Sequence, residues 1–134
     1  MEESRDKLEP VVQMIAQTRN VLLATVDETG TPRLTPVAEC TRAGAARLSI
    51  RAWVDVPPLE NRGGRGRMVL LLWDEQGRGY QLTGHAVRSL DTAVLDGLAA
   101  VEEEVHFPQV ERDILMQVES VEDFHLTPLA AGKP

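Results

Sequence analysis

Two arginines, a threonine and a tryptophan on neighbouring predicted strands are the residues of this sequence best suited to binding an anionic ligand. Arg33 and Thr35 occupy alternate positions of "PRLTPVAEC", and Arg51 and Trp53 occupy alternate positions of "RLSIRAWVDV". Guanidinium forks and hydroxyl groups bind phosphate oxygens well, and an aromatic side chain beside them can flank a planar ring. These residue types therefore suit a phosphorylated aromatic cofactor.

Those side chains meet only if the two segments, residues 32–40 and 47–56, pair as adjacent antiparallel strands around "TRAGAA". Both segments alternate in polarity with a period of two, which is typical of strands with one buried face. A register that brings both apolar faces to one core contains three facing pairs: Thr35 with Trp53, Val37 with Arg51, and Arg33 with Asp55. The polar face then forms one patch, which comprises Arg33, Thr35, Ser49, Arg51 and Trp53. The opposite face of the first segment is predicted to be buried, and its residues are Leu34, Pro36, Ala38 and Cys40.

A solvated sheet face is the simpler interpretation of the same pattern. In that case Arg33 pairs with Asp55 and Arg51 pairs with Glu39, and each exposed ion pair contributes about 0 to 1 kcal/mol. Periodicity by itself favours this interpretation over a ligand site.

The elements around these strands are predicted from apolar spacing and turn residues. Apolar residues three and four apart predict a helix that begins near Pro10 and ends near Thr18. "NVLLATVD" and the turn "DETGTP" predict a β-hairpin with the segment that follows. "MVLLLWD" is apolar on both faces and predicts a central strand, and Gly84 in "YQLTGHAVRSL" predicts a bulge or a close backbone approach.

The last third of the chain predicts a second helix and a closing strand. Asp91 is expected to cap a helix through "TAVLDGLAAVEEEVH". The strand "DILMQVESVEDFHL" is expected to turn three side chains inward: Ile114, Met116 and Val118. The whole pattern predicts a mainly β (α+β) fold, an antiparallel barrel of six to seven strands with peripheral helices. The 134 residues are expected to form a single domain, 1–134, with a core over about 8–125 and a C-terminal tail at 126–134.

Composition excludes several classes of function. The formal net charge of -7 argues against binding to nucleic acid or to an anionic membrane. Cys40 is the one cysteine and is expected to be an inert core thiol, which suits a reducing cytoplasm. The three histidines, His85, His106 and His125, are not in ligand spacing, so no metal site is expected. No signal peptide or membrane span is recognisable, and a soluble cytoplasmic protein is expected.

The order of the segments resembles that of the FMN-binding split β-barrel proteins related to pyridoxamine 5'-phosphate oxidase. The matching segments are "LLATVDETGTPRLTPV", "LSIRAWVDVPPLEN", "RMVLLLWD" and "YQLTGHAVR". The resemblance implies a homodimer that binds FMN at the subunit interface. It also implies a flavin-dependent oxidoreductase, in which hydride passes between the flavin and an unidentified small substrate or a reduced nicotinamide.

The resemblance further implies which residues surround the cofactor, and it nominates no catalytic side chain. Arg33 and Thr35 would lie near the flavin, and the segment from Arg51 onward would line its ring or phosphate. A turn further along the chain would cover the phosphate, with Arg62 as an added ligand. The full implied cofactor-binding set is Arg33, Thr35, Pro36, Val37, Arg51, Ala52, Trp53, Val54, Pro58, Leu59, Asn61 and Arg62.

One departure from the family's pattern concerns the phosphate. The family commonly has Ser or Thr and a basic residue, often lysine, before an "L-x-N" turn, whereas this chain has "DVPPLEN" with Asp55 and Pro57 near those positions. An acid repels the anion, and proline has no N–H to donate. Either Arg33, Arg51 or Arg62 takes the place of the lysine, or the protein is a non-catalytic dimer that binds haem, a deazaflavin or no ligand.

Overall fold

The computed structural model describes residues 6–26, 30–54, 66–94 and 110–127, with the backbone alone at 91–94 and 110. Within these residues the elements are one helix and six strands: α1 Leu8–Ile15, β1 Val21–Val26, β2 Pro32–Gly44, β3 Arg47–Trp53, β4 Arg67–Trp73, β5 Arg78–Val94 and β6 Val110–His125. The strands form a closed antiparallel barrel in the order β1-β2-β3-β6-β5-β4. The predicted mainly β barrel is therefore confirmed.

The barrel interior is the hydrophobic core. Alternate side chains of β3 are buried, as the period of two in its sequence predicts. Alternate side chains of β4 are buried as well, although its sequence is apolar on both faces. On β6, Ile114 and Met116 are fully buried and Val118 packs against the core, so the predicted inward face of this strand is confirmed. The largest fully buried side chains come from five strands: Leu23, Leu48, Ile50, Met68, Leu70, Leu72, Leu82, Ile114 and Met116.

Helix α1 covers one end of the barrel, which we call the helix end. The helix begins at Leu8, two residues before the predicted start, because the Asp6 carboxylate accepts the Leu8 N–H at 3.1 Å and Leu8 is buried in the core. A hydrogen bond from Arg42 holds the pKa of Asp6 below its usual value. Past the helix, the Thr18 hydroxyl donates to the carbonyl of Trp73 at 2.7 Å. None of the described helical residues forms a segment long and apolar enough to cross a membrane.

The opposite end of the barrel, which we call the far end, is where β1 and β3 end and β2 and β4 begin. β5 also reaches this end, and it continues as a strand through Val94 with Asp91 facing Arg112 of β6. The prediction that Asp91 caps a helix is therefore wrong, because cross-strand pairing with β6 satisfies the backbone here. The rest of the predicted second helix lies outside the described residues.

A bulge in β2 changes which of its side chains face the core. Val37 faces Ala52 and Glu39 faces Arg51, so two steps along β2 match one step along β3. The predicted pair of Val37 with Arg51 is therefore wrong. The predicted pair of Arg33 with residue 55 lies outside the described residues.

The burial of β2 on the far-end side of this bulge is opposite to the prediction. Thr35 is buried, whereas Leu34 is 70% exposed and Pro36 and Ala38 are also exposed. Only Cys40, beyond the bulge, packs against the core as predicted. Alternation counted through a bulge assigns the wrong face to every residue on one side of it.

Gly84 lies at a second irregularity, between β5 and β6. The register shifts between Thr83 and Gly84, and a Cβ built on Gly84 would overlap the carbonyl oxygen of Gln117. The predicted bulge and close backbone approach at Gly84 are confirmed.

Candidate functional site

Among the described residues, strands β2 and β3 are not paired with each other along their whole length. Their ladder stops where Val37 faces Ala52, although β2 remains paired with β1 back to Pro32 and β3 remains paired with β6 as far as Trp53. We call the place where this ladder ends the seam cleft. Its edges are Thr35, Pro36 and Val37 on β2 and Ala52, Trp53 and Val54 at the end of β3.

Two side chains contact the backbone at the end of β3, in addition to the ladder with β6. The buried Thr35 hydroxyl donates to the carbonyl oxygen of Trp53 at 3.0 Å. On the other side of β3, Arg112 Nε of β6 donates to the carbonyl oxygen of Val54 at 3.1 Å. Backbone carbonyl groups need a hydrogen-bond partner. The Thr35 contact supplies one on the β2 side, and the Arg112 contact supplies one beyond the last pair of the β3 and β6 ladder.

The predicted polar patch is divided between the two faces of the sheet. Thr35 lies on the inner face, and Arg33 shares that face because it stands opposite the buried Thr25. Arg51 and Trp53 alternate with the buried residues of β3 and so lie on the outer face. Thr35 therefore contacts the backbone of β3 from the same face as Arg33, whereas the Arg51 side chain lies on the opposite face.

The outer face of β3 shows the polar contacts expected of a solvated sheet. Arg51 Nη1 lies 2.6 Å from Glu39 Oε1, which confirms the ion pair that the simpler interpretation predicts. The Ser49 hydroxyl donates to Asp113 Oδ1 at 2.7 Å. Arg51 Nε is buried and has no hydrogen-bond partner, so its side chain is only partly satisfied by Glu39.

Four residues of the predicted site, Pro58, Leu59, Asn61 and Arg62, lie outside the described residues. The described residues on either side of that segment, Val54 and Gly66, adjoin β3 and β4 at the far end of the barrel.

Arg112 is the site residue that the sequence reasoning missed. It faces the buried Ala52 across the β3 and β6 ladder, so it belongs to the inner face of the barrel at its far end. The signal was present in the sequence, since Arg112 continues the alternation of Ile114 and Met116 by one more inward position. A charged residue at such a position is unusual in a core and is typical of a barrel rim.

The thiol and imidazole groups of the described residues do not line the seam cleft. Burial raises the pKa of the Cys40 thiol to about 12, so it stays protonated at neutral pH and is inert, as predicted. His85 lies on the outer face of the barrel with Nδ1 2.6 Å from Glu119 Oε2, and His125 lies at the helix end. The described residues contain no group of three or more His, Cys, Asp or Glu that could hold a metal ion.

A groove of about 1170 Å³ lies at the helix end, between α1, the turn from β4 to β5 and the end of β6. Its lining includes side chains of both charges, such as Arg19, Glu75 and Asp123, with Met14 and Tyr80 as apolar members. It contains none of the predicted site residues and stands at the opposite end of the barrel from the seam cleft.

Replacing Thr35 with valine tests the bridge across the cleft. Valine keeps the shape of threonine but leaves the Trp53 carbonyl without its donor, so Thr35→Val is expected to lower the free energy of unfolding by about 1 to 3 kcal/mol. Urea denaturation followed by tryptophan fluorescence measures the change. Thr41→Val is the matched control, because Thr41 is an exposed threonine on the same strand. Equal effects of the two substitutions would contradict the bridging role.

Comparison with known proteins identifies the fold. No profile of a known protein family matches the sequence, and no curated protein matches it. Solved structures do match. An alanine variant of HupZ from Group A Streptococcus has a TM-score of 0.56 at 16% identity, over 87% of this chain and 98% of that one.

Two further matching structures are of proteins named for pyridoxamine 5'-phosphate oxidase or the pyridoxinephosphate oxidase family. A protein from Clostridium acetobutylicum, related to general stress protein 26 of B. subtilis and placed in the pyridoxinephosphate oxidase family, has a TM-score of 0.55 at 13% identity, over 91% of both chains. A candidate pyridoxamine 5'-phosphate oxidase from Lactobacillus delbrueckii has a TM-score of 0.51 at 19% identity, over 89% of this chain and 96% of that one. The chain therefore has the split β-barrel fold of these proteins.

Proposed function

We propose that this protein binds FMN in the seam cleft at the far end of the barrel. The observation that carries the proposal is the end of the β2 and β3 ladder at Val37 and Ala52, beyond which no further pair joins the two strands among the described residues and the Thr35 hydroxyl contacts the Trp53 carbonyl. Backbone N–H and C=O groups at the edges of strands can bind the polar edge of a flat ring, while the apolar side chains around them exclude water. The resemblance of the sequence to the FMN-binding split β-barrel proteins, together with the fold shared with a protein of the pyridoxinephosphate oxidase family, supports a flavin as the ligand.

The residues present fit that role by position and charge. Val37 and Val54 line the gap with apolar surface, and Arg33 supplies a cation on the same inner face. FMN, when bound, supplies hydride transfer, and the protein supplies binding, orientation and exclusion of water. We propose an oxidoreductase that acts on a small substrate, with the seam cleft as the place where the flavin is held.

We further propose that two copies of the chain pair through the outer face of β1 and β2. Three cross-strand pairs place apolar side chains on that face: Leu22 with Pro36, Ala24 with Leu34, and Val26 with Pro32. Leu34 is 70% exposed and Val26 is 50% exposed, which is unusual for neighbouring residues of a monomeric protein. The face shares Pro36 with the seam cleft, so a second copy bound there would border the flavin site.

Titration with FMN tests the proposed function. Purified protein is expected to be yellow or to take up added FMN, with quenching of flavin fluorescence at a ratio of about one flavin to one chain. Arg33→Met is expected to weaken FMN binding about tenfold or more, because it removes a charged hydrogen-bond donor. Arg78→Met is the matched control, since Arg78 is an exposed arginine at the helix end.

Two outcomes would contradict the proposal. Colourless protein that takes up no added FMN would exclude flavin binding. Uptake of hemin or of a deazaflavin without uptake of FMN would instead favour the same barrel with a different ligand.

A further inference from the structure

The groove at the helix end exists because α1 covers only part of the barrel opening there. The helix has eight residues and packs against β2 and β4. The part of the opening beside β5 and β6 is left as the groove of about 1170 Å³. Ligand sites in proteins are usually clefts of about 300 to 1,000 Å³, so the groove is large enough to hold a small ligand.

Charges of opposite sign stand on opposite sides of this groove. Arg19 lies just before β1, and Asp123 lies near the end of β6. β1 and β6 are three places apart in either direction around the barrel, so they face each other across the opening. With neighbouring strands about 4.8 Å apart, a barrel of this size is about 10 to 15 Å across. Neither side chain is paired with another described residue.

The remaining acids and arginine of the groove preserve this polarity. Glu75, in the turn from β4 to β5, adds a second carboxylate to the lining. Asp74 and Arg78 offset each other, because Arg78 Nη2 lies 3.5 Å from Asp74 Oδ2 and the Asp74 carboxylate also accepts the Arg78 N–H at 3.0 Å. A cationic group is therefore stabilised beside β5 and β6, and an anionic group is stabilised near Arg19.

Carboxamides and apolar side chains line the groove between these charges. Gln17 follows α1, and Gln76 lies in the turn after β4. A carboxamide has one acceptor oxygen and two N–H donors, so it can hydrogen-bond to both the N–H and the C=O of a peptide group. Met14 and Tyr80 are half-buried and pack against the core, and they provide apolar surface for a ligand side chain. Tyr80 faces Asp123 across the ladder of β5 and β6.

We propose that the helix-end groove binds a short peptide with free termini, with its ammonium group at Asp123 and its carboxylate at Arg19. An extended chain spans about 3.3 to 3.6 Å per residue, so three or four residues cover the distance between the two sides. A single amino acid is also dipolar, but it is too short to reach both charges. Because the groove and the seam cleft lie at opposite ends of the barrel, this binding is independent of the proposed flavin site.

Isothermal titration calorimetry with the tripeptide alanyl-leucyl-alanine tests the two charged contacts. Acetylation of its amino group and amidation of its carboxyl group are each expected to weaken binding to the wild type about threefold or more, because each removes one charged contact. Asp123→Asn is expected to abolish the effect of acetylation and to keep that of amidation, and Arg19→Met is expected to do the reverse. Free leucine, which reaches only one side, is expected to bind about tenfold more weakly than the tripeptide.

Two substitutions outside the groove control for the change of charge. Glu122→Gln removes the carboxylate next to Asp123 in the sequence, but Glu122 faces Gln81 and so lies on the other face of β6. Arg88→Met removes an exposed arginine of β5 that faces Leu115. Both variants are expected to bind the free, acetylated and amidated peptides within about twofold of the wild type.

Three results would overturn the proposal. The first is no binding of the free tripeptide, and the second is a doubly blocked tripeptide that binds as tightly as the free one. The third is acetylation that weakens binding to Asp123→Asn as much as to the wild type, which would place the ammonium group elsewhere. Arg19 and Asp123 are exposed, and circular dichroism checks that their variants fold. FMN uptake is expected to be unchanged in both variants, so a failure of flavin binding would concern the seam cleft alone.

Discussion

Gly84→Ala is expected to lower the free energy of unfolding by about 3 kcal/mol, or the melting temperature by about 10 °C. The added methyl group would overlap the backbone carbonyl of Gln117 and would lie 3.2 Å from the Met116 side chain. The carbonyl belongs to β6 and cannot move without disturbing the longest strand pair of the barrel. Thermal and urea unfolding measure the loss.

Gly44→Ala is the matched control for that substitution. A Cβ at Gly44 would meet only the Arg47 side chain at 3.6 Å, which is an ordinary contact, so the change is expected to stay within about 0.5 kcal/mol. If Gly84→Ala is as stable as Gly44→Ala, the close approach of β5 and β6 at this point is wrong.

Leu34→Glu is expected to convert a dimer into monomers. The leucine is 70% exposed at the centre of the apolar outer face of β1 and β2, and a carboxylate there would face its symmetry mate across a dry interface. A central contact of this kind is worth about 2 kcal/mol or more, so the dissociation constant is expected to rise about 30-fold or more. Sedimentation velocity over a range of concentrations measures the change, and FMN uptake is expected to fall with it.

Leu126→Glu is the control for the negative charge that Leu34→Glu adds. Leu126 is 57% exposed and lies at the helix end, away from the proposed interface. This variant is expected to remain as dimeric as the wild type. A wild-type protein that sediments as a monomer would refute the pairing itself, and a dimeric Leu34→Glu would show that the pairing uses a different face.

Much of the fold follows from patterns that are local in the sequence. The alternation of β3 predicts its buried face because Leu48 and Ile50 lie on an uninterrupted strand. Gly84 is recognisable as a bulge because glycine in a strand usually marks a close backbone approach. The predicted helix start is two residues late, because the bond from the Leu8 N–H to the Asp6 carboxylate is a local capping contact that the apolar spacing does not contain.

The incorrect predictions share one physical cause. The face that a side chain occupies depends on how strands pair with one another, and the polarity pattern of a single segment does not contain that pairing. The bulge after Val37 exchanges the two faces of β2, so a hydroxyl becomes buried and Leu34 becomes exposed. The sequence around Asp91 predicts a helix cap, but in the structure Asp91 lies on β5 and pairs with β6. For the candidate site, the same exchange puts Arg33 and Arg51 on different faces of the sheet. Arg112 joins the site through the pairing of β6 with β3, and β6 is far from β3 in the sequence.

The order of the strands around the barrel also has a consequence for how the chain folds. Three seams join strands that follow one another in the chain, and β5 and β6 are also consecutive among the described strands. The other two seams join β1 to β4 and β3 to β6, so each encloses a long stretch of chain. Closing such loops costs entropy before the contacts form, which makes these two seams the slow steps of folding. The end of β3 lies at one of them, so the cleft takes shape only when the barrel closes.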